Sequence, residues 1–219
     1  MLSPQSFDYM NPNVPGELPV HPVPLIKATP ENLEKYGTPV TDPDTHPVEI
    51  VTWPQPGWRP IDAGTGNEGG YVDGTFRFHW QGDMLYAENE AVDDRYLLGW
   101  SEQPGVASST NPNPNRDRLL IWHANYHPDG GQLFYPINGQ PFVTALALPG
   151  DDLRPEDFTA FYFDGGFGVC LHPGIWHEAI VPLDDDASFY DKQGRVHGRV
   201  SCDFTREFGC FLGIPLTGF

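Results

Sequence analysis

His172-Pro173-Gly174-Ile175-Trp176-His177 is the stretch whose reading decides the fold. Proline presets φ and glycine accepts a left-handed conformer, so a Pro-Gly pair turns the chain. The strand that resumes after the turn aims His177 into the mouth of a β-barrel. A matching element lies upstream. Asn125-x-His127-x4-Gln132 stands just before Pro136 and Gly139. His127 and Gln132 then arise from one pair of strands and His177 from a later one, and all three converge on a single cavity.

The two elements resemble the paired motifs of a cupin barrel. A metal-binding cupin carries His-x-His-x4-Glu upstream, whereas Asn125 and Gln132 stand here in place of the first His and the Glu. Amide carbonyls are weak ligands for transition metals. The pattern therefore implies a conserved pocket geometry with no cofactor or a weakly bound divalent metal. With His123 standing in for a missing ligand, the set for such a metal is His123, His127 and His177. Without metal, His127 and His177 become the general base and general acid, since imidazole titrates nearest to neutral pH. Gln132 orients the substrate beside them.

Composition narrows the class. The 219 residues can form one sizeable core. Gly and Pro supply 24 residues each, which favours many turns and short strands over long helices. The formal charge of −18 excludes nucleic acid as a partner, because the 12 basic residues are too few and too scattered to track phosphates. An acidic surface also repels anionic membranes, and no apolar run has spanning length. A carboxylate substrate must therefore find a local cation. Cys170, Cys202 and Cys210 are odd in number and widely spaced, giving neither a disulfide framework nor a zinc site. With no leader-like start, the expected location is cytoplasmic.

Residues 1–24 hold Pro4, Pro12, Pro15, Pro19, Pro22 and Pro24 and read as an extended arm over the surface or between subunits. Residues 25–219 read as one barrel domain, with 48–117 a long variable segment and 118–204 the motif region. Thr29-Pro30-Glu31 opens a short helix that Gly37 ends. Strands are predicted at 48–53, 71–80, 95–100, 118–126, 132–135, 142–148, 168–171, 178–182 and 200–204. A tight hairpin turn is expected at 137–140, a short helix at 155–161 and a solvated loop at Asp184-Asp185-Asp186. The fold class that follows is all-β: a cupin-type double-stranded β-helix, or jelly-roll barrel, with a few short helices and the N-terminal arm.

Further residues are candidates for substrate binding. Thr75, Arg77 and His79 share one face of a strand; Arg77 could anchor a carboxylate, with a surface ion pair as the equally weighted alternative. Asn125 lies at the motif, and His172 and Trp176 flank the Pro-Gly turn. Any single histidine is more often structural than catalytic. The paired spacing around His127 and His177 lifts those two above that background.

In this order the residues resemble the ureidoglycolate lyase family, cupin-fold enzymes of allantoin and purine breakdown. The likeness rests on Val23-Pro24-Leu25, Pro30 to Gly37, His127-Pro128, Gln132-Leu133-Phe134-Tyr135-Pro136, Gly139-Gln140-Pro141-Phe142-Val143, Gly168-Val169, His172 and Trp176-His177. Asp203 is similar to an Asp in the family's last strand, and Arg77 to an Arg two residues before a His. The chain departs from the pattern at Asn125, at Glu178, over 48–117 and after Asp203. The resemblance implies a carbon–nitrogen lyase that cleaves ureidoglycolate, or a related small carboxylate, to glyoxylate and urea. It also implies a homodimer. The alternatives from other classes are a metal-dependent cupin oxygenase or isomerase and a non-catalytic metabolite-binding cupin.

Overall fold

Period-2 alternation of inward apolar and outward polar side chains builds most of this chain. A computed structural model describes residues 6–55, 57–66 and 68–219; Pro4 and the first five residues of the expected arm lie outside the described residues. In chain order the strands are β1 (Val20–Pro22), β2 (Leu25–Lys27), β3 (Gly37–Val40), β4 (Glu68–Gln81), β5 (Met84–Asn89), β6 (Asp94–Trp100), β7 (Arg118–Ile121), β8 (His123–Tyr126), β9 (Gln132–Pro136), β10 (Phe142–Ala147), β11 (Thr159–Phe163), β12 (Gly168–Leu171), β13 (Trp176–His177), β14 (Val181–Pro182), β15 (Asp186–Val196), β16 (Val200–Asp203) and β17 (Phe211–Pro215). Two short helices, α1 (Pro30–Leu33) and α2 (Phe204–Glu207), and a 3-10 turn at Pro155–Asp157 complete the elements. Among the described residues no helix is long and apolar enough to cross a membrane.

The strands form two sheets around one core. The first runs β1-β17-β7-β6-β5-β4-β15-β9-β12-β3, and the second β16-β8-β13-β10-β11-β2 with β14 beside β10. Among the described residues only β1–β17 and β2–β11 pair parallel. Aromatic rings stitch the sheets together. Phe142 stacks on Phe163 at 4.4 Å in the second sheet and meets Phe189 of the first edge-on at 5.1 Å. Such pairs add roughly 0.5–1.5 kcal/mol beyond their area burial. The all-β, jelly-roll-type expectation stands, but the two sheets form a sandwich and do not close into one barrel.

Several local expectations give way to tertiary pairing. Segment 48–53 contributes only an isolated bridge, Ile50 to Gly130. The strand expected over 118–126 breaks at Trp122, where the chain passes from one sheet to the other. The turn at 137–140 does not close a hairpin. β9 pairs with β12 and β15, while β10 pairs in the second sheet, so the turn also changes sheets. Pro155 and its acids start a helix, but buried Ala160, Phe161 and Phe163 are claimed by β10 and β2 and the segment becomes a strand. Of 178–182 only Val181–Pro182 is strand. Asp186 opens β15 instead of lying in a loop, and β15 pairs with β4 over the longest ladder in the molecule. α1 is shorter than expected, yet its start is as read: Thr29 and Asn32 form a reciprocal capping box.

The arm folds back on its own sheet. Phe7, Tyr9, Val14, Leu18 and Val20 pack on Leu97, Trp100, Leu120, Trp122 and Phe211. A second strap, residues 57–66, is fastened by Arg59. This buried guanidinium makes two bonds to Glu207, at 2.9 and 2.7 Å, and donates Nε–H to the Asp151 carbonyl. It also lies 5.4 Å from the Trp176 ring. Replacing Arg59 with Met is expected to cost about 1–3 kcal/mol in denaturant unfolding, the range for lost hydrogen bonds to a charged group, and to make 57–66 the first segment cut by limited proteolysis. Cleavage unchanged in rate and position would show that the strap is held by something else.

Candidate active site

The site lies where the inward rows of several strands change from apolar to polar. On β15 the inward row reads Ala187, Phe189, Asp191, Gln193; on β5 it reads Leu85, Ala87, Asn89. On β9, Phe134 is followed inward by Gln132. The apolar ends fill the core and the polar ends meet in a cavity of about 320 Å³. From the second sheet, β8 adds Asn125 and leads to His127, and β13 adds His177. The Pro-Gly turn is tied to the same place. Gly174 adopts φ +85, and its N–H donates to the His127 carbonyl at 2.8 Å.

Each imidazole is held by its Nδ1. His127 Nδ1 faces the Gly198 carbonyl at 3.0 Å. The carbonyl can only accept, so Nδ1 carries the proton and Nε2 is left as a lone-pair acceptor. That Nε2 has no hydrogen-bond partner among the described residues, and His127 lines the cavity. Burial, reinforced by the neighbouring His197 and His177, pushes the His127 pKa well below the usual imidazole value. His177 faces the Ile175 carbonyl through Nδ1 at 2.8 Å and the Gln132 amide through Nε2 at 3.1 Å. Burial lowers its pKa to about 4. In both rings burial thus favours the neutral form. The ring of His197 lies 4.1 Å from that of His127, and its Nε2 accepts the Gly194 N–H.

The structure brings together Asn125, His127, Gln132 and His177, and it separates the rest of the expected set. Arg77 and His79 do share a strand face, but it is the outer one, since Phe76, Phe78 and Trp80 take the inner face. Arg77 pairs with Glu90 and His79 stacks on Tyr86. Alternation also removes Trp176: it sits on the opposite side of β13 from His177, donates to the Gly150 carbonyl and packs against Tyr126. His172 lies outside the cavity, with its N–H bonded to the Tyr36 carbonyl. Asp203 caps α2 through Thr205 and Arg206 and pairs with Arg206. It is a structural residue.

The metal set does not form either. His123 shares the face of Asn125 and His127, but it lies one step beyond the cavity. There Phe7, Tyr9 and Trp122 pack around it and its Nδ1 meets Glu178 at 2.8 Å. Among the described residues no group of three His, Cys, Asp or Glu side chains could hold a metal ion. The residues present do not fit a metal held by His123, His127 and His177.

Sequence reading missed five residues that line the cavity, Asn89, Gln193, Arg195, His197 and Arg199, and a sixth, Asp191, that lies just beneath it. Asp191 is fully buried beneath Gln132, and burial raises its pKa. Arg199 and Arg195 supply the cations that Arg77 does not. Arg199 is positioned by Asp62 at 3.4 Å and by the Tyr9 ring at 4.6 Å, while exposed Arg195 makes no ion pair among the described residues. The signal for this row was the alternation Phe189-x-Asp191-x-Gln193.

The family model for ureidoglycolate lyase matches residues 101–203. A ureidoglycolate lyase of Azotobacter vinelandii is 43% identical over 115 residues, which are 52% of this chain and 62% of that protein. One from Pseudomonas savastanoi pv. phaseolicola is 37% identical over 131 residues, 59% of this chain and 68% of that protein. One from Pseudomonas syringae pv. syringae is 31% identical over the same length and coverage. The chain thus spans less than two thirds of the Azotobacter protein and just over two thirds of the other two. His127, Gln132, His177, Asp191, His197 and Arg199 all lie within the matched segment; β4 and β5 lie outside it.

The structural role of Asp203 has a measurable consequence. Asp203→Ala should lower stability by about 1–2 kcal/mol, the usual cost of losing an N-cap, and leave ligand affinity in the cavity unchanged. A loss of affinity without a loss of stability would return Asp203 to the site.

Proposed function

The chain belongs to the ureidoglycolate lyase family, and on that premise we propose that its cavity cleaves the carbon–nitrogen bond of ureidoglycolate, or of a closely related small carboxylate, releasing glyoxylate and urea. The observation that carries the reading is His127 Nε2, a ring nitrogen with no hydrogen-bond partner among the described residues, set among carboxamides and beside two arginines. Arg199 and Arg195 pair with the substrate carboxylate. Asn125, Gln132 and Gln193 offer both donors and acceptors, which suits a ureido group.

The reaction then proceeds by proton transfer through side chains. His127 Nε2 takes the proton of the carbinol hydroxyl. The oxygen electrons close the C=O bond of glyoxylate, the C–N bond breaks, and its electron pair goes to the urea nitrogen. The proton on His127 Nε2 passes to that nitrogen, so atoms and charge balance. The share in proton transfer expected of His177 is reassigned to His127, because both nitrogens of His177 are engaged; it orients Gln132 instead. The same reading carries with it a homodimer, a cytoplasmic enzyme and a place in purine breakdown.

His127→Gln is expected to lower kcat by roughly 10²–10⁴-fold, the range for one positioned acid–base group. Arg199→Gln should chiefly raise KM, and Arg77→Gln should change neither constant. Urea and glyoxylate release from ureidoglycolate, corrected for spontaneous breakdown and run with and without chelator, tests the whole scheme. Release abolished by chelator, or absent from folded protein, would refute it.

The pH dependence follows from the low His127 pKa. A base must be unprotonated to act, and protonation of this one is disfavoured by burial. The acid limb of kcat/KM is therefore expected below the ordinary imidazole pKa of about 6.5. A limb at or above that value would assign the base to another group.

A further inference from the structure

Beneath His177 the polar atoms form a chain with one feature that neutral histidine and ionised aspartate cannot satisfy together. From the protein interior outward it runs Asp191, Gln132, His177, Ile175. Gln132 Nε2 donates to Asp191 Oδ1 at 2.8 Å, Gln132 Oε1 faces His177 Nε2 at 3.1 Å, and His177 Nδ1 faces the Ile175 carbonyl at 2.8 Å. The other Asp191 oxygen, Oδ2, accepts from Asn89 at 3.0 Å and from Gln193 at 2.7 Å. Asn89 is fixed in that sense, because its own Oδ1 accepts the Ala91 N–H.

Proton counting follows. The Ile175 carbonyl is an acceptor, so His177 Nδ1 must carry a hydrogen. With Gln132 oxygen toward the ring, Nε2 must carry one too, and His177 is an imidazolium opposite an Asp191 carboxylate. If the amide turns over, no heavy atom moves. Gln132 nitrogen then donates to a bare His177 Nε2, and Gln132 oxygen needs a donor from Asp191 Oδ1, which must be a carboxylic acid. Either way the satisfied chain contains one proton more than ionised Asp191 with neutral His177. Leaving a buried donor or acceptor without its partner forfeits its hydration with nothing in return, so the satisfied arrangements are favoured. The second arrangement is free of net charge on any member and gives Asp191 Oδ2 the two donors a carbonyl oxygen takes.

We propose that Asp191, Gln132 and His177 form one chain that carries its own proton, with Asp191 a positioning residue that sets the state of His177 through the Gln132 amide. Burial acts in the same direction at both ends, lowering His177 and raising Asp191, so the resting proton belongs on Asp191. The charged and titratable groups that face the chain are His127 after β8, His197 after β15, Glu178 after β13, Arg195 and Arg199 on either side of His197, and Asp94 with Tyr96 on β6. The kinetic consequence rests on the lyase reading; the proton count does not.

The experiment is NMR of the intact protein at pH 7, reading the ¹³C shift of the Asp191 carboxyl and the ¹⁵N shifts of the His177 ring, assigned with Asp191→Asn and His177→Gln. Protonated Asp191 with neutral His177 is expected. Ionised Asp191 with imidazolium His177 would also keep the proton in the chain and support it. Ionised Asp191 with neutral His177 would overturn it. Asp191→Asn adds a kinetic arm. Its carbonyl still accepts from Asn89 and Gln193, its NH₂ donates to Gln132, and His177 is locked neutral without a titrating carboxyl. The alkaline fall in kcat produced when the wild-type chain loses its proton should then disappear, and coincident pH profiles in a folded variant would count against the proposal. Absence of turnover in the wild type would refute the lyase reading while the NMR result still decides the chain.

Discussion

The hydrogen bond from His127 Nδ1 to the Gly198 carbonyl is the contact on which the site depends. It fixes the tautomer, and with it the ring nitrogen that meets a substrate. It also requires residues 197–199 to lie against β8, and the chain spends much of its polar bonding on keeping them there. Asp129 Oδ2 accepts the Gly198 N–H at 2.7 Å. The strap bonds to the other side: Gly66 N–H to the His197 carbonyl, Asp62 N–H to the Arg199 carbonyl, and Arg199 N–H to Thr65 Oγ1. A Cβ at position 198 would come within 3.3 Å of Pro128 and Asp129, tighter than most side chains allow, so glycine suits that approach. The pair between the buried Arg59 guanidinium and the exposed Glu207 carboxylate thus acts on the site by fastening the strap that holds the His127 acceptor.

The sequence made the centre of the site legible because its geometry is local. Pro173-Gly174 dictates a turn, the turn bonds to His127, and strand alternation puts His177 on the cavity side of β13. The same alternation misled at β4. Period 2 says that Arg77 and His79 share a face but not which face points inward; Phe76, Phe78 and Trp80 settle that only once the core is known. For Asp203 the nearby capping role outweighs any reach toward the cavity. β15 was hidden for a different reason. Its inward row is interrupted by Asp191 and Gln193, and polar residues at core positions erase the signal that normally reveals a strand. The sheet change at 137–140 was illegible because it depends on which strands compete for β9, a non-local matter. The failures therefore fall where the core gives way to the site, and where pairing is long-range.

The cavity also divides along the chain. The imidazoles and carboxamides to which the proposed reaction assigns its steps come from 125–199, inside the segment shared with the ureidoglycolate lyases. β4, β5 and β6 lie before it and supply the facing wall, with Phe76, Asn89, Asp94 and Tyr96. Asn89 joins the two parts, since it donates to Asp191 across the β4–β15 ladder. A chain that kept the matched segment but exchanged this wall would keep the reacting groups and alter the shape that receives the substrate. The long segment 48–117 is thus part of the site in two respects, as the strap beneath His197 and Arg199 and as the wall opposite them.

Charge closes the argument. A chain of net charge −18 presents a repulsive field to any carboxylate, and at physiological ionic strength exposed charges are screened beyond about 8 Å. What the substrate meets at short range is therefore set by the cavity's own groups. Burial favours the neutral form of His127 and His177, so these two rings add little charge of either sign. Glu178 is turned onto His123, and Asp62 onto Arg199 and Ser201. Arg195 has no acidic partner among the described residues. Two arginines and two carboxylates, those of Asp94 and Glu178, line the cavity, so the strongly negative global balance is not repeated there, and in the proposed reaction a small anion is held by the arginines while the neutral His127 acts as the base. A protonated His127 would attract the carboxylate more strongly but would have no lone pair left to take its proton. Attraction assigned to arginine and reactivity assigned to a desolvated imidazole are therefore two parts of one electrostatic arrangement.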